Sequence, residues 1–407
     1  MRKRCYYFRL LHPVLIVLMD MKIEVINLLM ELTAMLKPHW YKVDWSLMVP
    51  VFLLIIIGII MLMSTSSIVG FSNYNDAYFF IKRHLMYLGV GILACFVGMV
   101  TPHTIYKRFL GLLFVLVLVC LLLTLTPLGV KVGGAQRWLD IGVFRFQPVE
   151  ILKFVVVVFI AVGLDRSQSF LNNFFKGCFP LLLVVSIPLS LVVLQPDLGN
   201  TAIILLVVGC LFFLSSMPLR HIVSLGGISF LAVCLIILSH SYQMQRILAF
   251  LNPWEDPLGK NYHIIQSLIA IGSGGFFGLG LGESKLKYFY LPLQYSDFIF
   301  SIICEEGGFI FAVLVLLLFV LILFKTFFIV KKSESQFSFF LGMGCGLLIC
   351  VQALINIAVV IGLMPVTGLP LTFISFGGTS LITSLFYVGV ILNISNDYQQ
   401  KSYSIRS

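Results

Sequence analysis

Long runs of apolar residues recur along most of this chain, separated by short segments that are polar or contain Pro and Gly. A helix needs about 20 such residues to cross the hydrocarbon core of a bilayer. The runs are continuously apolar, whereas the strands of a membrane β-barrel alternate apolar and polar positions over about ten residues. The pattern predicts an all-α polytopic membrane protein with about ten transmembrane helices. The predicted spans are residues 47–69, 84–100, 109–126, 148–164, 178–194, 198–215, 221–238, 298–322, 337–362 and 373–394.

Composition excludes a soluble globular protein. Hydrophobic residues make up 60% of the 407 positions and charged residues only 11%, and the mean hydropathy is +1.06. A soluble domain carries about 25% charged residues. The sequence therefore predicts that lipid surrounds most of the protein surface.

The lysines and arginines predict the orientation of the chain. Ten spans place both termini on one side, and the segments of that side hold 17 of the 27 basic residues, against nine on the other. Cytoplasmic segments carry such an excess, so both termini are predicted to be cytoplasmic. The net charge of +10 then reflects topology and anionic lipid, and it requires no nucleic acid.

The predicted organisation is simple. Residues 1–46 form a basic cytoplasmic or interfacial segment, residues 47–395 the ten-helix membrane domain, and residues 396–407 a cytoplasmic tail. Residues 10–19 are too short to span a bilayer and precede no small-residue cleavage site, so no signal peptide is predicted. The nine cysteines include no CxxC pair and the seven histidines no HExxH, so neither a disulfide framework nor a zinc site is indicated.

Three predicted extracytoplasmic segments contain most of the unusual residues: 131–150, 195–200 and a long loop near 241–296. A loop as long as the third is usually functional. In the first segment, Arg137 and Arg145 are predicted on the extracytoplasmic side, where the positive-inside tendency makes basic residues less common. They predict either a phosphate-binding site, because an arginine fork matches phosphate oxygens, or a simple interfacial anchor together with Trp138; both interpretations stay open.

Carboxylates lie at the start of the eighth predicted span. Asp297 follows the long loop directly, and Glu305 and Glu306 lie eight and nine residues further on. Intramembrane carboxylates are candidates for functional sites. Asp297 could act as a general base at the aqueous rim or merely cap the helix. Glu150 and Lys153, three apart on the fourth span, predict an ion pair.

Six motifs resemble the SEDS family (shape, elongation, division and sporulation), which includes FtsW, RodA and SpoVE. They occur in family order over about 250 residues. The motifs are GGAQRWLDIGVFRFQPVE at 133–150, QPDLGN at 195–200, NPWEDPLG at 252–259, IIQSLIAIGSGGFFGLGLGESKLKYFYLP at 264–292, SDFIFSIICEEGG at 296–308 and MPVTGLPLTFISFGGTS at 364–380.

The resemblance implies a peptidoglycan glycosyltransferase that polymerises lipid II, an undecaprenyl-pyrophosphate-linked disaccharide peptide, at the outer face of the cytoplasmic membrane. Asp297 matches the essential aspartate of the family, which implies that it is the catalytic base. A divalent cation, Mg or Mn, at the pyrophosphate is compatible with this implication. The implied substrate-binding residues are Arg137, Trp138, Glu150, Lys153 and Arg246.

The resemblance also implies partners: a cognate class B penicillin-binding protein and other membrane proteins of a division or elongation complex. The long-loop motifs are most like FtsW, which favours a septal role in cell division, with a RodA-type role in elongation as the alternative. A lipid II flippase and a non-catalytic scaffold for a transpeptidase are alternatives of another class. A transporter would favour discontinuous helices or midplane charge, whereas Asp297 is predicted at the outer rim.

Several residues depart from the family pattern. Leu293 and Tyr295 replace an acidic residue and a histidine before Asp297, and these changes keep the scaffold alternative open. The substitutions at Val149, Phe376 and Thr379 are milder. Because Asp297 is retained, the sequence predicts an active enzyme.

Overall fold

The computed structural model describes residues 43–132, 135–140, 142, 145–166, 173–239, 241–257, 259, 261–288, 291–292, 294–333 and 335–404. Most of the predicted N-terminal segment, 1–46, therefore lies outside the described residues. The helices are α1 (Trp45–Tyr74), α2 (Phe79–Val100), α3 (His103–Arg108), α4 (Leu110–Leu125), α5 (Pro148–Arg166), α6 (Phe174–Leu194), α7 (Leu198–Leu214), α8 (Leu219–Ser239), α9 (Ser241–Leu251), α10 (Tyr262–Gly274), α11 (Ile299–Val330), α12 (Gln336–Val360) and α13 (Gly378–Ser404).

Each predicted span overlaps a helix, and the all-α polytopic fold is confirmed. Within the described ranges, seven helices are long and apolar enough to cross a membrane: α1, α2, α6, α8, α11, α12 and α13. Helices α4 and α7 are apolar but shorter. Helix α5 contains Glu150, Lys153 and Asp165, which lower its hydropathy. The number of ten crossings and the cytoplasmic termini stay predictions.

The last helix differs from its predicted span, 373–394. It begins at Gly378, because residues 371–377 form turns in which Phe373 has a φ of 66° and the Ser375 hydroxyl accepts a hydrogen bond from the Leu371 amide (2.9 Å). It continues to Ser404, so most of the predicted tail is helical. Apolarity alone cannot locate either end of this helix.

Helices α5, α12 and α13 form the centre of the bundle, and most of their residues are buried. Helix α13 packs closely along α2. A Cβ at Gly98 would lie 2.8 Å from the Phe386 carbonyl oxygen, and one at Gly389 would overlap the Cys95 carbonyl. Small residues at helix contacts allow this close approach, which is common in membrane proteins.

The segment around the first predicted extracytoplasmic loop contains a small antiparallel sheet that hydropathy did not predict. Its strands are β1 (Gly129–Val132), β2 (Ala135–Asp140) and β3 (Arg145–Phe146), in the order β1-β2-β3. Gly129 pairs with Leu139, and Leu139 pairs with Phe146. The sheet leads directly into α5.

The long loop contains α9 and α10 and a glycine-rich segment that crosses α11. Gly308 breaks α11 with a φ of 71° and a ψ of −173°. The amides of Leu279 and Gly280 donate to the carbonyls of Glu305 and Glu306 at 3.0 Å. In return, the amides of residues 309 and 310 donate to the carbonyls of residues 275 and 276 at 2.9 and 3.3 Å.

We call residues 274–280 and 305–310 the glycine clasp. The transporter alternative predicts discontinuous helices, and α11 is interrupted at Gly308. The clasp satisfies the backbone groups that the interruption frees, as irregular backbone within a membrane requires.

Candidate active site

A cavity of about 310 Å³ lies where the long loop meets the segment between α12 and α13. Four separate parts of the chain contribute to its wall: α9, α10, the start of α11 and residues 364–368. The lining residues are Gln245, Arg246, Ala249, Phe250, His263, Ile264, Asp297, Phe298, Met364, Pro365, Val366 and Gly368. The cavity therefore joins two sequence-predicted residues, Asp297 and Arg246.

A hydrogen bond to its backbone carbonyl fixes the position of Asp297, and its side chain does not cap α11. The N-cap of α11 is Phe298 and no side chain caps it, so the interpretation of Asp297 as a helix cap is wrong. The Asn356 amide donates to the Asp297 carbonyl oxygen at 2.8 Å and to the Leu369 carbonyl oxygen at 2.7 Å. Asn356 thereby ties the aspartate to the opposite cavity wall.

Burial raises the pKa of the Asp297 carboxyl from 3.8 to about 6. A hydrogen bond from Ser296 and the positive charges of Arg246 and Arg137 oppose this effect. A carboxylate with a pKa near 6 is ionised at neutral pH and is also a stronger base than an ordinary aspartate. The site therefore has the chemistry of a general base.

Arg246 lies on the wall of the same cavity. One of its Nη atoms donates to the Val366 carbonyl oxygen at 3.0 Å, which holds the guanidinium beside residues 364–368. A guanidinium carries five N–H donors and a positive charge, which suit the oxygens of an anionic ligand.

The Arg137 side chain bonds mainly to other groups of the protein. Its Nε lies 3.3 Å from the Gln195 carbonyl oxygen and 3.6 Å from Asp197 Oδ2, and an Nη atom contacts the Pro196 carbonyl. Asp197 in turn caps α7 by accepting from the Asn200 amide at 3.2 Å. The QPDLGN motif and the first loop thus form one polar contact, and Arg137 acts on Asp297 through its charge rather than by lining the cavity.

Trp138 and Arg145 belong to the small sheet. Trp138 is half-buried on β2 opposite Val130, and it is absent from the cavity wall. Arg145 Nε lies 3.8 Å from Asp140 Oδ2, and its side chain is 58% exposed. An ion pair this exposed stabilises a fold by little.

Glu150 and Lys153 form the predicted ion pair, and both are buried inside the bundle. Lys153 Nζ lies 2.7 Å from Glu150 Oε1 and 2.7 Å from the Gln352 amide oxygen. Thr383 donates to Glu150 Oε2 at 3.1 Å. Each charge is compensated within the protein, and neither residue lines the cavity around Asp297.

A second buried cluster lies at the glycine clasp. Lys287 Nζ lies 3.3 Å from Glu306 Oε1, which also accepts from Ser64 at 2.7 Å. Glu305 accepts from the Ser284 hydroxyl at 2.5 Å and from the Lys285 amide at 2.9 Å. These glutamates join the long loop to α11 and α1, and they too are absent from the Asp297 cavity.

Comparison with known proteins identifies the family. A sequence model of FtsW, RodA and SpoVE proteins, described as cell cycle protein, matches residues 44–400. The chain belongs to this family. It is 39% identical over 353 residues to stage V sporulation protein E of Bacillus subtilis (strain 168), covering 86% of this chain and 96% of that protein.

A second relative is a probable peptidoglycan glycosyltransferase FtsW from Geobacter sp. (strain M18). It is 37% identical over 339 residues, covering 83% of this chain and 92% of that protein. Among solved structures, a chain from "Structural coordination of polymerization and crosslinking by a peptidoglycan synthase complex" has a TM-score of 0.74 and 27% identity, covering 89% of this chain and all of that chain. The crystal structure of Thermus thermophilus rod shape determining protein RodA has a TM-score of 0.65 and 25% identity, with 88% and 99% covered.

Two departures from the SEDS family pattern contact each other. The Tyr295 and Phe376 rings lie 6.1 Å apart, and both pack on Phe80, at 4.4 and 5.3 Å. The Phe376 amide also donates to the Tyr295 carbonyl oxygen at 3.0 Å. Tyr295 therefore belongs to an aromatic cluster, and Leu293 lies outside the described residues.

The described part of this SEDS chain groups no three His, Cys, Asp or Glu side chains that could hold a metal ion. Asp297 alone could supply one carboxylate ligand. A divalent cation at this site would therefore take most of its ligands from pyrophosphate and water, as Mg²⁺ often does.

Sequence reasoning missed Asn356, His263 and Gly368. Asn356 and His263 lie in largely apolar helices that also contain other polar residues, such as Gln352 and Gln266, and no pattern in the sequence separates a ligand-binding role from a structural one. Gly368 has a φ of 76°, and a Cβ there would lie 3.7 Å from Asp297 Oδ2. The motif at 364–380 includes the residues of this cavity wall, but the sequence does not show that they lie close to Asp297.

Proposed function

We propose that this chain is a peptidoglycan glycosyltransferase that polymerises lipid II at the outer face of the cytoplasmic membrane. One observation supports this most strongly: Asp297, with its pKa raised to about 6 by burial, lines a cavity beside Arg246. Membership of the family and a curated relative called a probable peptidoglycan glycosyltransferase FtsW support the same reaction.

In the proposed reaction, the ionised Asp297 accepts the proton of the 4-hydroxyl group of the acceptor sugar. The hydroxyl oxygen attacks the anomeric carbon of the donor sugar, and a new C–O bond forms with inversion. The bond between that carbon and undecaprenyl pyrophosphate breaks, and the pyrophosphate leaves with the electron pair. Arg246 offers positive charge to the departing phosphate oxygens.

The other predicted substrate-binding residues take indirect roles in this proposal. Arg137 stabilises the ionised form of Asp297 by its charge, and its contacts with residues 195–197 fix the first loop. Glu150 and Lys153 hold α5, α12 and α13 together. Trp138 sits in the sheet that leads into α5 and gives the lipid-linked substrate an aromatic surface at the interface.

We further propose a class B penicillin-binding protein as partner and the division septum as location. The structural similarity to a chain of a peptidoglycan synthase complex supports a partner that crosslinks the strands. The relatives called FtsW support division, and the similarity to RodA keeps elongation as the alternative. Many apolar helices support a multi-pass membrane location.

The interrupted helix α11 favours one alternative, a lipid II flippase. Broken helices and buried charges such as Glu306 and Lys287 occur at the substrate sites of transporters. Here, however, backbone hydrogen bonds close the break, and the glutamates bond to Ser64, Ser284 and Lys287. Asp297 instead lines a cavity formed largely by loop segments, which favours polymerisation.

A reconstitution experiment separates the two functions. The purified chain and its penicillin-binding partner are placed in vesicles that contain fluorescent lipid II, and both polymer and transbilayer movement are measured. We expect glycan polymer and no faster transbilayer movement than in protein-free vesicles. Movement without polymer would contradict the proposal and support a flippase.

A further inference from the structure

His263 lies on the wall of the Asp297 cavity. It is the second residue of α10, and its ring is parallel to that of Phe298, with 6.0 Å between the centroids and 9° between the planes. Phe298 is the next residue after Asp297 in the chain. The imidazole, from α10, and the carboxylate, from the residue before the N-cap of α11, therefore reach one cavity from two separate parts of the chain.

The two ring nitrogens of His263 have different surroundings. Nδ1 is enclosed and has no hydrogen-bond partner among the described residues. A buried N–H without an acceptor is rarer than an unsatisfied acceptor. We therefore assign the proton of the neutral ring to Nε2, with the Nδ1 lone pair facing the enclosed side.

The ring is neutral near pH 7, because burial lowers its pKa below the ordinary value of 6.5. A neutral N–H donor suits an uncharged oxygen such as a sugar hydroxyl or an acetamido carbonyl. Arg246, the cation on the same wall, suits phosphate oxygens instead. The cavity thus offers two donors of different chemistry beside one base.

We propose that His263 binds the acceptor sugar, by donating a hydrogen bond from Nε2 to one of its uncharged oxygens beside Asp297. This inference rests on the proposed glycosyltransferase function. His263 contacts the substrate and orients it, and no proton is transferred to the ring. The acceptor sugar then has two contacts with the cavity: its attacking hydroxyl contacts Asp297, and another of its oxygens contacts His263.

The test compares two replacements that separate hydrogen bonding from packing. His263→Gln keeps an N–H donor, whereas His263→Phe keeps the ring against Phe298 and loses the donor. His221→Phe is a matched control: the Nδ1 of His221 is also enclosed without a partner among the described residues, but its ring packs on Phe174 and lines no part of this cavity.

Binding of fluorescent lipid II to the purified full chain is measured in detergent, together with thermal unfolding of each variant. We expect His263→Phe to weaken binding about 3- to 10-fold, the range for one neutral hydrogen bond. We expect His263→Gln to stay within about 3-fold of wild type, His221→Phe to match wild type, and unfolding temperatures to be unchanged.

Equal binding by wild type and His263→Phe would overturn the inference, as would an equal loss in the Gln and Phe variants. Polymerisation is assayed in parallel with wild type and Asp297→Asn. If wild type binds lipid II but makes no polymer, the proposed function fails while the binding result still decides the role of His263. If wild type polymerises and His263→Phe binds and polymerises equally well, only the present inference fails.

Discussion

Asp297 differs in its surroundings from the buried carboxylates of the described residues. Glu150, Glu305 and Glu306 bond to lysine or hydroxyl groups inside the protein, and Asp197 caps a helix. Asp297 lies partly exposed at a cavity wall, while its own backbone carbonyl is bound by Asn356. A base needs this combination of fixed position and open access.

The raised pKa of Asp297 predicts a pH dependence. A general base acts only in its ionised form, so activity should be low well below pH 6, rise through about pH 6 and level off above it. Initial rates of lipid II polymerisation at saturating substrate, measured from about pH 4.5 to 8, test this expectation. A midpoint near the ordinary aspartate value of about 4 would contradict it.

Asn356→Leu should disturb the site without touching its carboxylate. The change removes the two hydrogen bonds to the carbonyls of Asp297 and Leu369, and it leaves the Leu369 acceptor buried and the Asp297 acceptor partly buried. We expect a loss of about 1 to 3 kcal/mol in stability, measured by unfolding in detergent, and a clear fall in kcat. A variant with normal kcat would show that Asn356 does not position Asp297.

At the scale of single residues, the motif at 296–308 predicts Asp297 as the base, and the structure places this residue on a cavity wall. The cavity partners were not predictable in the same way. Asn356 lies 59 residues from Asp297, and only the packing of α12 against α11 brings its amide to the aspartate. One sequence cannot reveal such a contact.

The pair of Glu150 and Lys153 is an element-scale feature, because it joins α5 to α12 and α13. Lys153→Met should leave Glu150 buried without its partner and destabilise the bundle by about 3 to 5 kcal/mol. Combining it with Glu150→Gln should recover much of that loss. Thermal unfolding of single and double variants in detergent tests both statements.

The activity of the double variant also shows whether the pair of Glu150 and Lys153 has a structural role or a role in substrate binding. If the double variant regains stability and activity together, the pair is structural. Regained stability without activity would instead indicate that the charges contribute to the substrate site, as the resemblance implied.

The glycine clasp predicts a local effect at Gly308. Alanine there would have an unfavourable φ of 71°, and its Cβ would lie 2.6 Å from the Phe276 carbonyl oxygen and overlap the Gly278 amide. We expect Gly308→Ala to destabilise the chain by at least about 1 kcal/mol. Gly272→Ala is the control, because a Cβ at Gly272 meets nothing within 4 Å. Equal unfolding temperatures for both variants would contradict this role of the clasp.

Hydropathy predicted the helices well because burial in lipid requires apolar side chains at nearly every position. It failed where other forces set the structure. Backbone turns at residues 371–377 delay the start of α13, and pairing of short polar strands builds the sheet at 129–146. Neither feature leaves a long apolar run.

For the whole molecule, the family motifs carried more information than physical patterns did. The motifs at 296–308 and 364–380 lie far apart in the chain, but both contribute residues to the cavity wall around Asp297. The order of the motifs along the chain could not predict that they lie next to each other in the fold. It also could not predict that Arg137 and the pair of Glu150 and Lys153 lie outside this wall.

The central claim is that Asp297 is the base of a lipid II polymerase. Gel-resolved polymerisation of labelled lipid II by the purified chain with its penicillin-binding partner tests it most directly. Wild type is compared with Asp297→Asn, and with Asp76→Asn as a control that changes a partly exposed loop aspartate paired with Lys82.

The account predicts polymer from wild type and Asp76→Asn and at least about 100-fold less from Asp297→Asn, a loss typical for removal of a general base. Normal polymerisation by Asp297→Asn, or no polymer from wild type with a competent partner, would contradict it.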